Sequence, residues 1–211
     1  ADTVLAEVFL LGGGGGGGNA TATTTSGAVV GSSGNGGGWL KKRIDVSALA
    51  GSPPNTNIAI GAGGAAATAG GNTTYNDGTT SLTAQGGASG VSGASSVSTF
   101  NVRTANSNTP TTGGDINHNG EQAQPSYSSG DRADTSASQH TASSANGGGS
   151  PYGVGGPSVT LEGAGSSATA GNDATGYGSG GSSGMRIHSG ANTTSGGAGT
   201  QGLCIIREYG I

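Results

Sequence analysis

A stretch with the spacing of a dinucleotide-binding turn covers residues 58–66. It reads as a short strand followed by Gly-x-Gly-x-x-Ala, the pattern that lets a backbone approach a pyrophosphate at the start of a helix. That chemistry requires a helix directly after the turn. Gly70 and Gly71 follow too soon, and no apolar periodicity exists for a helix to bury. We therefore interpret the motif as a glycine-rich loop and expect no cofactor.

Residues 115–120 match the first six positions of a calcium-binding loop, Asp-x-Asn-x-Asn-Gly. Such a loop needs a bidentate Glu at its twelfth position, where this chain has Ser126. Flanking helical patterns are missing as well. We interpret the segment as a turn built by Asn and Gly and expect no metal site. The alternative is a weak cation site formed by Asp115, Asn117 and Asn119.

Nucleophiles and bases show no arrangement typical of catalysis. The three histidines, His118, His140 and His188, lie in polar stretches with no sequence cue that pairs them with a nucleophile. Cys204 lies between two large aliphatic residues, a position typical of a small buried apolar side chain. The acidic residues show no paired-carboxylate spacing of the kind used for hydrolysis. We expect the protein not to be an enzyme.

The composition limits both the fold and the partners. Of 211 residues, 48 are Gly and only 28 are Leu, Ile, Val or Phe, so a side-chain core alone cannot order the whole chain. A single Cys excludes an internal disulfide. Net charge is −4 and residues 41–43 form the one basic run, so nucleic acid is not an expected partner. No apolar run approaches the ~20 residues of a membrane span, so we expect no membrane insertion.

The large apolar residues cluster in short segments that predict β-strands. Each segment is strand-length, rich in β-branched residues and bounded by Gly or turn residues. No window carries a helical stripe, so we predict an all-β fold with little or no α-helix. The predicted strands are residues 4–11, 39–46, 57–60, 80–84, 100–102, 158–161, 185–187 and 203–209.

Some of the intervening glycines recur at every third residue, as in Gly87, Gly90 and Gly93, and again between Gly178 and Gly202. Three residues per turn is the repeat of a polyproline II-type helix. Several such helices side by side, with Gly on the facing sides, satisfy one another's backbone N–H and C=O groups without a side-chain core. From composition alone, this bundle and a flexible Gly/Ser/Thr linker are equally compatible with the pattern.

Six segments, in order along nearly the whole chain, carry a family resemblance: residues 7–18, 36–49, 58–66, 113–117, 149–153 and 202–209. Together they resemble the glycine-rich distal domain of bacteriophage tail fibres. The resemblance implies one domain over residues 1–211. It also implies a β-sandwich in which the terminal strands 4–11 and 203–209 pair, combined with a bundle of polyglycine II helices. Residues 94–112 and 121–146 depart from the family pattern because they contain much less Gly, and we expect loops there.

The resemblance also implies a role in host attachment. A tail-fibre tip is an extracellular part of the virion, a non-enzymatic adhesin for a saccharide or an outer-membrane protein on a bacterial surface. Tail fibres are usually trimeric, so we expect a homotrimer that contacts other virion tail proteins. Two alternatives stay open. One is an ice-binding protein, because polyglycine II bundles with flat Thr/Ser/Ala faces can bind ice; the other is a purely structural virion or filament subunit.

A break in the glycine content indicates where a receptor would bind. Residues 121–146 contain one Gly, and long loops in compact domains are usually functional or disordered. Aromatic, guanidinium and carboxylate groups in this stretch suit sugar rings and charged surface groups. A loop without a contact role is the alternative. The receptor-contact candidates are Tyr127, Arg132, His140 and, directly after Pro151, Tyr152.

Overall fold

The structure of the protein is a computed structural model. It describes residues 3–21, 27–46, 57–94, 100–129, 140–163, 167–187 and 192–210. Within these ranges the chain alternates between short β-strands and extended, glycine-rich segments, and no helix occurs in them. The strands gather into small sheets at two ends of the molecule, and the extended segments run between those ends. The predicted all-β fold is confirmed.

Two sheets form the proximal sandwich, which contains both ends of the described chain. The longest strands pair antiparallel, with Thr3 opposite Gly210 and Leu11 opposite Leu203. The first sheet has the order β10 (Ile116–His118), β4 (Trp39–Asp45), β1 (Thr3–Leu11) and β19 (Leu203–Gly210). The second has the order β5 (Asn57–Ala59), β6 (Thr73–Asn76) and β7 (Ser81–Ala84). Alternate residues of these strands form the buried core: Val8, Leu10, Leu40, Ile44, Tyr75, Leu82 and Ala84.

Two further sheets form the distal sandwich at the other end of the molecule. One has the order β14 (Thr160–Gly163), β12 (His140–Ser143), β11 (Ser126–Ser129) and β9 (Asn101–Arg103). It packs on β15 (Ser167–Thr169), β17 (Met185–Ile187) and β3 (Ala28–Val30). The core between them consists of Ala28, Val30, Ala142, Met185 and Ile187. Two smaller sheets complete the description: β18 (Thr193–Thr194), β2 (Ala20–Thr21) and β8 (Gly93–Ala94), and the pair β13 (Gly153–Val154) and β16 (Thr175–Gly176).

Between the sandwiches, residues 12–18 form the buried centre of a polyglycine II bundle. Their N–H groups donate in three directions that repeat every third residue, to carbonyls in segments 32–38, 68–71 and 197–200, at N···O distances of 2.8–2.9 Å. Their carbonyls accept in three more directions, from N–H groups in segments 87–90, 64–67 and 181–184. Six neighbouring segments therefore satisfy this backbone. The period-three residues Gly87, Gly90, Gly181, Gly184 and Gly199 are thus part of a hydrogen-bonded bundle, and the linker alternative is wrong for them.

Close approach of neighbouring backbones explains why the centre is glycine. A Cβ placed on any residue from 12 to 18 would collide with a backbone carbonyl of an adjacent segment, such as that of Ala65 at Gly16 or Ser182 at Gly17. Backbone atoms cannot rotate away as a side chain can. The absence of a side chain is therefore what lets the hydrogen bonds form at normal length.

The structure corrects one expectation about the glycine-poor stretches. Residues 121–146 are not one long loop, because β11 and β12 lie within them and pair with each other. In residues 94–112 the strand predicted at 100–102 is confirmed as β9, which pairs with β11. After β9 the chain lines the bundle, where the Asn108 side chain accepts a hydrogen bond from Ala88 N–H and donates one to the Gly120 carbonyl. An amide side chain thus replaces a backbone group, which is why this stretch needs less Gly.

The dinucleotide-like stretch is also part of the bundle. After β5 the chain continues in extended form, and Gly64 donates its N–H to the Gly14 carbonyl while Gly61 accepts from Gly202. No helix follows within residues 57–94. The backbone N–H groups that would cradle a phosphate are therefore used to hold neighbouring segments together.

Candidate receptor-binding surface

An exposed apolar strip lies on the outer face of the distal four-stranded sheet. Tyr127 of β11 is opposite Val102 of β9, and strand alternation places Phe100 on the same face. Their exposed fractions are 45%, 56% and 66%, in a chain with few large apolar residues. The rings of Phe100 and Tyr127 stack with centroids 6.2 Å apart and an angle of 29° between their planes. The two rings therefore orient each other, and the strip is an aromatic platform that is open to solvent.

Hydroxyl and carboxylate groups border this strip. The register places Ser143 opposite Tyr127 and Thr160 opposite Ser143, and their hydroxyl oxygens are 3.2 Å apart. Glu162 continues the same face on β14 and is exposed. The combination of ring faces with nearby hydroxyls and a carboxylate suits recognition of a polar ligand that has apolar patches, such as a sugar. We call the exposed part of this outer face, with Phe100, Val102, Tyr127, Thr160 and Glu162, the distal face.

The structure does not bring the four sequence-predicted contact residues together. Tyr127 lies on the distal face, and Arg132 lies outside the described residues. His140 is fully buried, because it points to the same side of β12 as the core residue Ala142. Tyr152 lies at the opposite end of the bundle, where its ring meets Phe9 of the proximal sheet edge-on at 5.4 Å. Of the four, Tyr127 and Tyr152 are exposed aromatic residues in separate places.

Sequence reasoning missed Phe100 and Val102 as contact residues, although it placed a strand there. The available signal was the alternation of an apolar with a polar residue in Phe100-Asn101-Val102, which assigns both apolar side chains to one face. What the sequence does not contain is the partner strand. Only the pairing of β9 with β11 at a sheet edge leaves that face uncovered and aligns it with Tyr127.

The calcium-like segment is held together by protein partners. Asp115 accepts a hydrogen bond from the Arg43 backbone N–H at 2.9 Å and pairs with the Lys42 ammonium at 2.7 Å, and these contacts lower the pKa of its carboxyl. Asn117 bonds both backbone groups of Gly114, and Asn119 accepts from Thr111 N–H. The three side chains therefore hold the bend at residues 113–115 and the chain around it, and the predicted turn is wrong for residues 116–118, which form the strand β10. Among the described residues no cluster of three or more His, Cys, Asp or Glu side chains has the spacing of a metal site.

Cys204 lies against the proximal core, and burial raises the pKa of its thiol. A raised pKa keeps the sulfur protonated at neutral pH and makes it a poor nucleophile. The described part of the chain contains no helix that is long and apolar enough to cross a membrane.

Comparison with known proteins assigns the chain to one family. A family model described as a glycine-rich domain matches residues 2–209, nearly the whole chain. No curated protein matches the sequence. The chain belongs to the glycine-rich domain family.

Proposed function

We propose that this domain is the receptor-binding tip of a bacteriophage tail fibre, a virion adhesin that attaches to a saccharide or an outer-membrane protein of a bacterial surface. The observation that carries the proposal is the distal face, an exposed aromatic platform at the end of a rigid bundle. Membership of the glycine-rich domain family and the resemblance to tail-fibre tips support it.

The position of the distal face suits attachment. Thr3 and Gly210 pair at the proximal end, so any segment that precedes or follows the domain joins it there. The bundle then holds the distal face away from that junction. Because its backbone is hydrogen-bonded in six directions, little conformational entropy is lost when the face binds a receptor. The proposed role is recognition without catalysis, outside the cell.

A homotrimer in contact with other virion tail proteins is part of this proposal. The open edge of the proximal sandwich supports it. Ile206 on β19 and Ile58 on β5 point inward by register, opposite Val8 and Tyr75, yet both are exposed at this edge. A second copy would cover them. Light scattering that gives a monomer mass would contradict the trimer without affecting the adhesin.

A competition experiment tests the adhesin. The purified domain should bind cells of a candidate host and block adsorption of a phage that carries it. Replacing Phe100 and Tyr127 together with Ala should weaken cell binding at least about fivefold, as loss of interface aromatics commonly does. Tyr177→Ala removes another exposed tyrosine ring, far from the distal face, and is the control. Melting temperature should change little in both variants.

Two results would overturn the proposal. Full binding by the Phe100/Tyr127 double variant would remove the distal face from the mechanism. Thermal hysteresis without cell binding would identify an ice-binding protein. If the domain shows neither thermal hysteresis nor cell binding, a structural subunit is the remaining alternative.

A further inference from the structure

A pocket lies at the end of the molecule opposite the distal face, on the outer face of the proximal four-stranded sheet. Strand register defines this face row by row, because residues directly opposite each other share it. One row has Trp39 beside His118, the next has Lys41, Phe9 and Ile205, and the next has Arg43, Glu7 and Arg207. A pocket of about 210 Å³ on this face is lined by residues of these rows and by one residue of the turn before β13: Glu7, Phe9, Trp39, Lys41, Ile205, Arg207 and Tyr152.

Aromatic rings form the walls of this pocket and fix one another's orientation. Phe9 and Trp39 stack with centroids 5.7 Å apart, and Tyr152 meets Phe9 edge-on at 69°. Trp39 also stacks on His118, with the two ring planes only 7° apart. Because the rings already contact each other, little side-chain entropy is lost when a flat or ring-shaped ligand packs against them.

The charges in the pocket favour an anion. Glu7 lies at the bottom with its side chain 6% exposed, 2.8 Å from the Lys41 ammonium and 3.5 Å from the Arg207 guanidinium. The Nε atom of Arg43 is 3.8 Å from the Glu7 carboxylate, and the side chains of Arg43 and Arg207 are 70% and 60% exposed. Three cations thus surround one carboxylate. Among the charged residues that line the pocket, Lys41 and Arg207 outnumber Glu7, so the pocket has a positive surplus in a protein whose net charge is −4.

The two guanidinium groups retain donors for a ligand. Each guanidinium has five N–H donors, and the separations of 3.5 and 3.8 Å from Glu7 are longer than a good hydrogen bond. Their exposed edges can therefore pair with a carboxylate or phosphate from solution. Glu7, which also lines the pocket, can accept a hydrogen bond from a ligand hydroxyl.

We propose that this pocket binds a pyranose that bears an anionic group, either a carboxylate or a phosphate. The aromatic walls pack on the C–H face of the sugar, Glu7 accepts from a hydroxyl, and Arg207 with Lys41 binds the anion. The volume supports a ligand of one ring, since sites for drug-sized ligands measure ~300–1,000 Å³. This binding is independent of the distal face and needs no host cell.

Trp39 makes the proposal directly testable, because it is the only tryptophan of the chain and lies in the pocket. Its fluorescence should change saturably when glucuronic acid or glucose 6-phosphate is added to the intact protein. A one-ring ligand is expected to bind with a Kd of about 1–10 mM. Glucose and inorganic phosphate, added separately, should bind at least about tenfold more weakly, since each makes only half of the contacts. Added NaCl should weaken binding of both acidic sugars.

Variants separate the pocket from overall electrostatics. Arg207→Gln should weaken glucuronic acid binding at least about fivefold, in the range for a lost charge-assisted contact. Arg103→Gln removes the same charge from β9 of the distal sheet and should leave binding unchanged. Tyr152→Ala should weaken both acidic sugars while the melting temperature stays within a few degrees.

Three outcomes would overturn the proposal. The first is the lack of a saturable change in Trp39 fluorescence at about 50 mM of either acidic sugar, a concentration well above the expected Kd. The other two are that glucose, or inorganic phosphate, binds as tightly as the acidic sugars. Full binding by the Arg207→Gln variant, or equal losses in the Arg207 and Arg103 variants, would also contradict it. Protection of Trp39 by a second copy of the chain, detected as concentration-dependent fluorescence without sugar, would assign the face to subunit contact instead.

Discussion

At the residue scale, the requirement for Gly differs sharply between positions in the glycine-rich segments. A Cβ at Gly16 would collide with backbone atoms of Ala65 and Ala66, which belong to a segment held by its own hydrogen bonds. A Cβ at Gly149 would meet first the carboxylate end of the Glu121 side chain, which can rotate away. Glycine abundance in the sequence does not distinguish these two cases. Only the identity of the neighbouring atom does.

We expect Gly16→Ala to lower the free energy of unfolding by at least about 3 kcal/mol, or to prevent folding, because neither backbone can move without breaking hydrogen bonds. Gly149→Ala should cost less than about 1 kcal/mol, since a flexible side chain absorbs the contact. Urea unfolding followed by circular dichroism measures both values. Similar losses for the two variants would show that the close packing of residues 12–18 does not hold in solution.

Acidic residues give the protein a predictable response to pH. The hydrogen bond from the Lys41 ammonium, helped by the charges of Lys41, Arg207 and Arg43, holds the pKa of Glu7 below its ordinary value of 4.5 although burial opposes ionisation. A carboxyl whose pKa is lower in the folded state stabilises the fold above pH 4.5, and this contribution is lost as the pH falls through the folded pKa. Contacts to Arg43 N–H and Lys42 act on Asp115 with the same sign.

Glu7→Gln should therefore be less stable than the wild type at pH 7, and the difference in the free energy of unfolding should shrink once the pH falls below 4.5. Chemical unfolding across this range, with salt held constant, gives the two curves. A difference that stays constant down to about pH 2 would mean that the Glu7 carboxylate is not stabilised by its cations.

At the element scale, the sequence predicts the longer strands well. Residues 4–11 and 203–209 are long, apolar and rich in β-branched residues, and they correspond to β1 and β19. Strands such as β6, β11 and β12 were missed because Thr, Ser and Asn dominate them. Their strand conformation comes from the sheet pairing and from one or two buried side chains, such as Tyr75 in β6. Local propensity carries too little of that information.

The bundle segments show a second limit of prediction. Period three identified Gly87, Gly90 and Gly93, which donate to the carbonyls of Gly13, Gly16 and Asn19 in turn. Segments with Asn in place of Gly carry no such signal. Asn35 is fully buried, and its side chain donates to the Asn106 carbonyl and the Asn108 side chain and accepts from Ala123 N–H. These long-range partners are 70 or more residues away in the chain, so no local pattern reveals them.

The same reasoning explains which part of the candidate site was accessible from the sequence. Tyr127 was proposed as a contact residue because it lies in the glycine-poor stretch 121–146, and Tyr152 because it directly follows Pro151. Their neighbours were not, since Phe100 and Phe9 reach them only through sheet pairing and bundle packing. A chain of short strands therefore reveals single residues but not the surfaces that these residues form.

At the scale of the whole molecule, the bundle explains how a chain with so few large apolar residues can fold. The chain has only 28 large apolar residues, and in its described part the core of each sandwich is small and does not span the distance between the sandwiches. The glycine-rich segments between the sandwiches are held together by the backbone hydrogen bonds of the polyglycine II bundle. Because the central segment 12–18 continues from β1 at one end toward β2 at the other, it also links the two sandwiches mechanically.

This arrangement predicts an unusual pattern of hydrogen exchange. Long runs of Gly ordinarily exchange fast, since flexible linkers leave their N–H groups to water. Here each N–H from residue 12 to 18 is buried and bonded, and releasing one requires separating segments that are held by several neighbours. We expect these amides to exchange only through global unfolding, more slowly than those of Glu208 and Tyr209 near the exposed end of β19, after correction for intrinsic rates. Native-state exchange followed by NMR or mass spectrometry resolves the two sets. If residues 12–18 exchange at the rate of an unstructured Gly peptide, the bundle is not the element that holds the molecule together, and the rigid presentation of the distal face is lost with it.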